Sequence, residues 1–166
     1  MSTLKILGFH GPFRFMSNFI PCTVFLDGLP FSSVEHAYVA AKTTVVSYRE
    51  DISRRPYLDE AGNLVPAFTS GQVKRLGRKL KLRPDWEQVR VDIMRDLLIQ
   101  KFSQAPFRAQ LVQTGKAYLE ETNVWHDTFW GVCEGVGENH LGWLLMEIRD
   151  GLNWYDQAPD EEPISI

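Results

Sequence analysis

Apolar and polar positions recur with a helical period over much of this chain, and this pattern predicts a mainly α fold. In the longest such stretch, apolar side chains follow one another every three or four residues from Trp86 to Phe102. A second stretch begins after Asn139, the predicted N-cap, and ends at Gly151, the predicted stop. Because each stretch is apolar along one side, we expect two long helices that pack into one core.

A shorter helix is predicted over residues 31–42, where two serines precede an alanine-rich segment. Ser32 is the predicted N-cap, and the sequence fits a capping box in which Glu35 bonds back to the N-cap amide. Capping alone would explain Glu35, and the helix dipole would favour its ionised form. Glu35, Val39 and Lys42 share one side of the helix, which places an acid and an anion-binding group roughly 10 Å apart on one wall. The predicted buried face consists of Val34, Ala37, Tyr38, Ala41 and Val45.

The remaining pattern predicts one compact multihelical domain, residues 1–153, with a small N-terminal β-hairpin. Strands are predicted at residues 4–9 and 23–31, the second of which turns at Asp27-Gly28. Further helices are predicted from Thr69 to about Lys79 and from Pro106 to Gln113. Residues 44–70 break the periodicity and predict an insertion or lid, and the acidic residues 154–166 predict a flexible tail.

Composition narrows the possible partners. The chain has 166 residues and a net charge of −3, which argues against a nonspecific nucleic-acid binder. Cys22 and Cys133 stand far apart without histidines at ligand spacing, so we expect reduced thiols and no metal. No cofactor is expected either. The N-terminus shows no signal-peptide pattern, and no apolar run is long enough to span a bilayer. We therefore expect a cytoplasmic protein without a membrane partner.

Positive charge is concentrated in one segment, residues 74–83, which holds six lysines and arginines. Such a run is either a solvated surface or a phosphate site. Aromatic loops surround other candidates: Asn18 lies among three phenylalanines, and residues 123–131 combine tryptophans, Asp127 and a glycine. These loops either plug the core or form walls for a flat base or a sugar. Trp86 is likewise either a core anchor or a stacking residue.

Several motifs, in this order from about residue 9 to 152, resemble the NADAR family, also called YbiA-like. They are Phe15-x-Ser17-Asn18-Phe19, Val34-Glu35-His36 with Ala41-Lys42, Leu76-Gly77-Arg78, Arg83-x-Asp85-Trp86, Lys101-Phe102, Thr114-Gly115, Asp127-x-Phe129-Trp130-Gly131, Gly137-x-Asn139-x-Leu141-Gly142 and Leu145-Met146-x-Ile148-Arg149. The resemblance implies a mainly helical domain that hydrolyses N-glycosidic bonds at a phosphorylated ribose. Implied substrates are ribosylaminopyrimidine phosphates of early riboflavin biosynthesis or ADP-ribose attached to guanine. The phosphoribosyl or ADP-ribosyl group would be either free or attached to a nucleic-acid base.

The resemblance also implies roles for single residues. Glu35, Asp127 and Trp130 correspond to the family's functional glutamate, loop aspartate and stacking tryptophan, and we expect a metal-independent hydrolase. The expected substrate-binding residues are Asn18, His36, Lys42, Arg78, Arg83, Trp86, Gly131 and Asn139. The long segment 48–68 and His126 depart from shorter family members. The alternative is a non-catalytic ADP-ribose or nucleotide-binding module, which would need Trp130 and the basic segment but would not need Glu35.

Overall fold

The computed structural model describes residues 4–53, 57–58, 64–65 and 68–157. The described α-helices are α1 Val34–Ala41, α2 Val46–Ser53, α3 Ser70–Gly77, α4 Trp86–Phe102, α5 Phe107–Gln113 and α6 His140–Gln157, and a 3₁₀ helix spans Gly11–Met16. The described strands are β1 Lys5–Leu7, β2 Val24–Leu26, β3 Leu29–Phe31, β4 Tyr57–Leu58, β5 Leu64–Val65, β6 Tyr118–Glu120, β7 Thr122–Asn123 and β8 Val132–Cys133. The predicted mainly α fold with small β elements is confirmed.

The short helix α1 lies at the centre of the molecule. It contacts α2, α3 and α4 and the hairpin β2–β3, and every one of its residues except Glu35 is buried. Of the predicted buried face, Val34, Ala37, Tyr38 and Ala41 are buried, and neighbours also cover most of the rest of the helix. Val45, assigned to that face, lies beyond the helix end and is exposed. An eight-residue helix is marginal alone, so tertiary packing stabilises α1.

The N-terminus of α1 differs from the predicted capping box. Ser33, not Ser32, is the N-cap, and its Oγ accepts a hydrogen bond from the His36 backbone N–H at 3.3 Å. Glu35 therefore stands one position too early to close a capping box. Its own backbone N–H donates instead to the Asn18 carbonyl at 3.0 Å. The cap leaves the Glu35 carboxyl free for another role.

The β elements bring distant parts of the chain together. Strands β2 and β3 form the predicted hairpin, and both Asp27 and Gly28 have positive φ, as a tight turn of this type requires. Strand β1 pairs in parallel with β6, and β7 pairs in parallel with β8. These two parallel pairs were not predicted. They hold the segment after α5 against the N-terminus and against the chain that leads into α6.

Helices α4, α5 and α6 pack against one another and complete the core. The predicted apolar stripe of α6 is buried, and it consists of Leu141, Leu144, Leu145, Ile148 and Leu152. Gly151 does not stop this helix, because Leu152 remains in the core and the helix continues to Gln157. The helix thus passes residue 154, where the tail was predicted to begin. Residues 158–166 of that prediction lie outside the described residues.

The predicted insertion 44–70 begins with an ordered helix. Helix α2 packs on α1 and β3, and the buried Arg49 pairs with Asp27 of the hairpin turn and donates to the Thr43 carbonyl. The structure describes residues 44–53 of this segment, the strands β4 and β5, and residues 68–70. Whether the segment forms a lid therefore stays a prediction. No helix in the described ranges is long and apolar enough to cross a membrane.

Candidate active site

A cleft of about 270 Å³ opens where α1, α3 and α4 meet the loop after β6. The loop that follows the 3₁₀ helix and the start of α6 complete its lining. The lining residues are Ser17, Asn18, Phe19, Glu35, Tyr38, Lys42, Lys74, Arg78, Trp86, Arg90, Met94, Glu121, Trp125, Asp127, Trp130 and Leu141. Seven of the eleven site residues expected from the sequence are among them, namely Asn18, Glu35, Lys42, Arg78, Trp86, Asp127 and Trp130.

Helix α1 forms one wall of the cleft with Glu35, Tyr38 and Lys42. Their spacing of three and then four residues places them on one side of the helix. Val39 was expected on this same side of the helix, between Glu35 and Lys42. Val39 is instead buried against Gly77 of α3, where a Cβ would lie only 3.0 Å from its Cγ1. This close contact brings the basic end of α3 to the cleft.

Neighbouring groups act in opposite directions on the pKa of Glu35. Burial raises the pKa of its carboxyl, and Asp127 raises it further, while Lys42 and Lys74 oppose this change. The net direction is upward, which corrects the expectation that the helix dipole would keep Glu35 an ordinary anion. Burial lowers the pKa of Lys42, and Lys74 and Arg78 lower it further, while Glu35 opposes the change. The cleft therefore holds an acid with raised proton affinity beside a crowded group of cations.

Asp127 and Trp130 form the opposite wall. Asp127 Oδ1 accepts hydrogen bonds from the backbone N–H groups of Trp130 at 2.9 Å and Phe129 at 3.2 Å. The backbone N–H of Asp127 donates to Asn123 Oδ1 at 3.1 Å. Trp130 Nε1 donates to the Tyr38 hydroxyl at 3.1 Å, so the loop is tied to α1 across the cleft. This network fixes the carboxylate and the indole ring in one arrangement.

Aromatic and amide groups line the rest of the cleft. Trp86 is buried and its ring centroid lies 5.1 Å from that of Tyr38, which confirms its place in the core. It also lines the cleft, and its stacking role stays a prediction. Asn18 Nδ2 contacts Met94 Sδ at 3.5 Å. Its Oδ1 is buried and, among the described residues, has no hydrogen-bond partner. A substrate hydroxyl would supply the missing donor.

Two predicted phosphate ligands, Lys42 and Arg78, lie in the cleft, but Arg83 does not. The Arg83 guanidinium makes a two-point ion pair with Asp85, at 2.7 and 2.9 Å. Its backbone N–H donates to the Lys42 carbonyl, which fixes this turn beside the end of α1. The basic segment thus splits into residues that face the cleft and residues that face solvent.

His36 is placed away from the cleft and serves the fold. It is buried, its Nδ1 lies 2.7 Å from Ser33 Oγ, and its Nε2 lies 2.8 Å from the Phe68 carbonyl oxygen. A carbonyl can only accept, so Nε2 carries the proton and Nδ1 accepts from the serine hydroxyl. Burial lowers the pKa of the ring, which keeps it neutral. The assignment of His36 to substrate binding was wrong for this reason.

Gly131 and Asn139 are also absent from the cleft lining. A Cβ at Gly131 would lie 2.1 Å from the Glu121 carbonyl oxygen, so only glycine fits. Asn139 Nδ2 donates to the Leu119 carbonyl at 2.9 Å and to the Tyr118 hydroxyl at 3.2 Å, and its Oδ1 accepts from the Glu121 backbone N–H. Both residues therefore hold the chain around β6 instead of binding substrate.

Sequence analysis missed several cleft residues. Lys74 belongs to the basic segment and was left unassigned within it. Arg90 follows Trp86 by one helical turn, a spacing that indicates a shared face, and its guanidinium lies 3.5 Å from the Phe129 ring centroid. Glu121 gave no local signal, because it lies between two strands that were not predicted. Trp125 and Phe19 belong to loops that were predicted, but neither was singled out.

Comparison with known proteins gives consistent results. Residues 8–153 match the model of the NADAR domain. The chain is 37% identical over 140 residues to N-glycosidase YbiA of Escherichia coli strain K12, covering 82% of this chain and 79% of that protein. It is 35% identical over 154 residues to a riboflavin biosynthesis protein of Vibrio vulnificus, covering 90% of this chain but only 37% of that longer protein.

The fold has a solved counterpart as well. The NMR structure of E. coli YbiA matches with a TM-score of 0.78 and 32% sequence identity, covering 97% of this chain and 92% of that one. The residues matched by the family model, 8–153, include both walls of the cleft. The chain therefore belongs to the NADAR domain family.

Proposed function

We propose that this N-glycosidase hydrolyses the bond between a heterocyclic base and the anomeric carbon of a phosphorylated ribose. The observation that carries the proposal is the pairing of Glu35 with Lys42 on one helix wall, opposite Asp127 and Trp130. An acid beside cations suits a substrate that has a reacting sugar next to a phosphate.

The chemistry requires a carboxylate near the anomeric carbon. As the C–N bond breaks, its electron pair goes to the base nitrogen and positive charge develops on the ribose ring. A water molecule then bonds to the anomeric carbon and gives up a proton. Ionised Glu35 stabilises the developing charge and accepts that proton, and its raised pKa makes it a better proton acceptor than an ordinary carboxylate. Asp127, fixed by two backbone N–H groups, orients the water or the ribose hydroxyls.

Phosphate binding would involve Lys42, Lys74 and Arg78. Lys74 and Arg78 each lower the pKa of Lys42, so both of these cations repel its ammonium group. A bound phosphate relieves that repulsion and forms charge-assisted hydrogen bonds. Arg90 lies farther along α4, where it stacks on Phe129 and pairs with Glu87.

The size of the cleft favours a compact substrate. Its volume of about 270 Å³ lies just below the range for ligand pockets, roughly 300–1,000 Å³. A mononucleotide-sized unit suits this space, and a double helix does not. Both implied substrate classes contain a phosphorylated ribose on a base. The name of the Vibrio relative supports the ribosylaminopyrimidine phosphates of riboflavin biosynthesis, with ADP-ribosylated guanine as the second class.

The test measures the release of free base from a panel of ribosylated substrates. Purified protein is incubated with a ribosylaminopyrimidine phosphate, ADP-ribosylated guanosine and the same ADP-ribosylated guanine in single-stranded and duplex oligonucleotides. We expect base and ribose phosphate or ADP-ribose from at least one small substrate, with the duplex the poorest. Binding without release by the wild-type protein would instead support the nucleotide-binding module. Cleavage restricted to long polymers would contradict the mononucleotide-sized site.

A further inference from the structure

Glu121 is a third carboxyl group in the cleft, and neither sequence analysis nor the proposed mechanism assigns it a role. It follows the last residue of β6 and lines the cleft together with Glu35 and Asp127. Its Oε2 is buried, and no hydrogen-bond partner for this atom exists within the part of the chain that the structure describes. A buried carboxyl oxygen without a partner is costly, and such groups concentrate at functional sites.

The backbone of Glu121 is held on both sides. Its N–H donates to Asn139 Oδ1 at 3.1 Å, and its carbonyl accepts from the Val132 N–H at 2.9 Å. Gly131 packs against it so closely that a Cβ would lie 3.1 Å from the Glu121 Cγ. Gly131 and Asn139 were expected to bind substrate. The structure shows that both fix the position of Glu121.

The surroundings of this carboxyl favour its protonated form. Burial raises the pKa of Glu121 to about 7, Asp127 of the neighbouring loop contributes in the same direction, and Lys74 of α3 opposes it. The other charged groups that line the cleft are Glu35 and Lys42 of α1, Arg78 at the end of α3, and Arg90 of α4. A carboxyl that carries its proton near neutral pH is suited to donate it.

We propose that Glu121 is the proton donor to the leaving base, a role that rests on the proposed hydrolysis. As the C–N bond breaks, the base nitrogen takes the electron pair and the proton from the Glu121 carboxyl. Glu35 receives the proton that the attacking water loses. The net reaction adds one water molecule, and proton exchange with solvent resets both carboxyls.

Asp127 is less suited to this role because its Oδ1 already accepts two backbone hydrogen bonds. Glu35 stands beside Lys42 on the wall assigned to the ribose and phosphate. Glu121 belongs to the other wall, on the same loop region as Asp127 and Trp130. The acid and the base of the reaction therefore approach the substrate from different elements, as general acid–base catalysis at an anomeric carbon requires.

The test compares two leaving groups in the variant Glu121→Gln. One substrate carries a neutral base, and the other carries the same base with a ring methyl group that makes it cationic, so that it departs without a proton. We expect Glu121→Gln to lose about 100-fold or more in kcat/KM on the neutral base and to change less than about threefold on the cationic one. Glu120→Gln is the matched control, because Glu120 bonds Thr122 and is absent from the cleft lining. It should be unchanged on both substrates.

A second measurement needs no variant. In the wild-type enzyme, kcat/KM on the neutral base should fall as pH rises above about 7, where Glu121 loses its proton, and should stay flat on the cationic base. An equal loss on both substrates in Glu121→Gln, or parallel pH profiles in the wild type, would overturn the assignment while leaving N-glycoside hydrolysis intact. A wild-type enzyme that releases no base from any ribosylated substrate would overturn the proposed function itself.

Discussion

The two walls of the cleft hold their functional groups by different means. On α1, Glu35 and Lys42 are positioned by the regular spacing of an eight-residue helix that apolar packing immobilises. On the wall from β6 to the start of α6, Glu121 and Asp127 are positioned by hydrogen bonds to the side chains of Asn139 and Asn123, which lie 18 and 4 residues away in sequence. The first wall depends on burial of apolar surface, and the second depends on a few amide groups.

The two walls are therefore vulnerable to different substitutions. Helix α1 has neighbours on every side, so the loss of one polar contact leaves its geometry in place. The second wall is built from strands of two or three residues, and Asn139 alone joins Tyr118, Leu119 and Glu121. A single substitution there should disturb the whole wall.

Glu35→Gln should abolish most activity without unfolding the protein. Its carboxyl is not part of the cap of α1, which Ser33 and His36 provide. We expect kcat/KM to fall by about 10²–10³-fold, as when a group that stabilises transition-state charge is removed. Thermal unfolding, followed by circular dichroism, should show a melting temperature equal to or above that of the wild type. Activity within a few-fold of wild type would remove Glu35 from the mechanism.

Asn139→Ala should destabilise the second wall by about 2–4 kcal/mol, because three hydrogen bonds are lost and their buried partners are left unpaired. Denaturant unfolding measures this change. Asn18→Ala is the contrasting variant, since Asn18 makes one weak contact to Met94 and its Oδ1 is unpartnered among the described residues. It should change the free energy of unfolding by less than about 1 kcal/mol while raising KM. The reverse pattern would assign Asn139 to substrate and Asn18 to the fold.

Lys42→Met should raise KM for a phosphorylated substrate by about 10–100-fold, the effect of losing one charged hydrogen bond. Methionine preserves the side-chain length that packs near Trp86 and Tyr38. Arg83→Ala is the matched control, because its ion pair with Asp85 is exposed and lies outside the cleft lining. It should leave KM unchanged. Equal effects of the two variants would indicate that the whole basic segment, and not Lys42 in particular, binds the phosphate.

Glu121→Gln should make the protein more stable at alkaline pH while it loses activity. The pKa of Glu121 is about 7 in the folded state and about 4.5 when the chain is unfolded, so the folded state binds the extra proton between these values. Stability therefore falls as pH rises from about 4.5 to about 7 and stays reduced above that range. Removing the group should raise the free energy of unfolding by about 1–3 kcal/mol at pH 8 relative to the wild type. A loss of stability at pH 8 would contradict this account.

The two walls also differ in how far the sequence predicts them. The spacing of Glu35 and Lys42 indicates a shared helix side, and the Asp27-Gly28 turn indicates the hairpin, because both are local properties of the chain. Glu121 could not be found in this way, since its position depends on the parallel pairing of β1 with β6. The family motif identified Asp127 and Trp130. It could not separate Gly131 and Asn139, which serve the fold, from residues that line the cleft.

The most direct test of the central claim compares two substrates of the wild-type enzyme. The claim is that Glu35 acts on a ribose whose phosphate is held by the cations at the end of α1 and on α3. The measurement is kcat/KM for base release from a ribosylaminopyrimidine 5′-phosphate and from the same riboside without the phosphate. We predict a preference of at least about 100-fold for the phosphorylated compound, as the loss of two charged hydrogen bonds would give. Equal values for the two compounds would contradict the account.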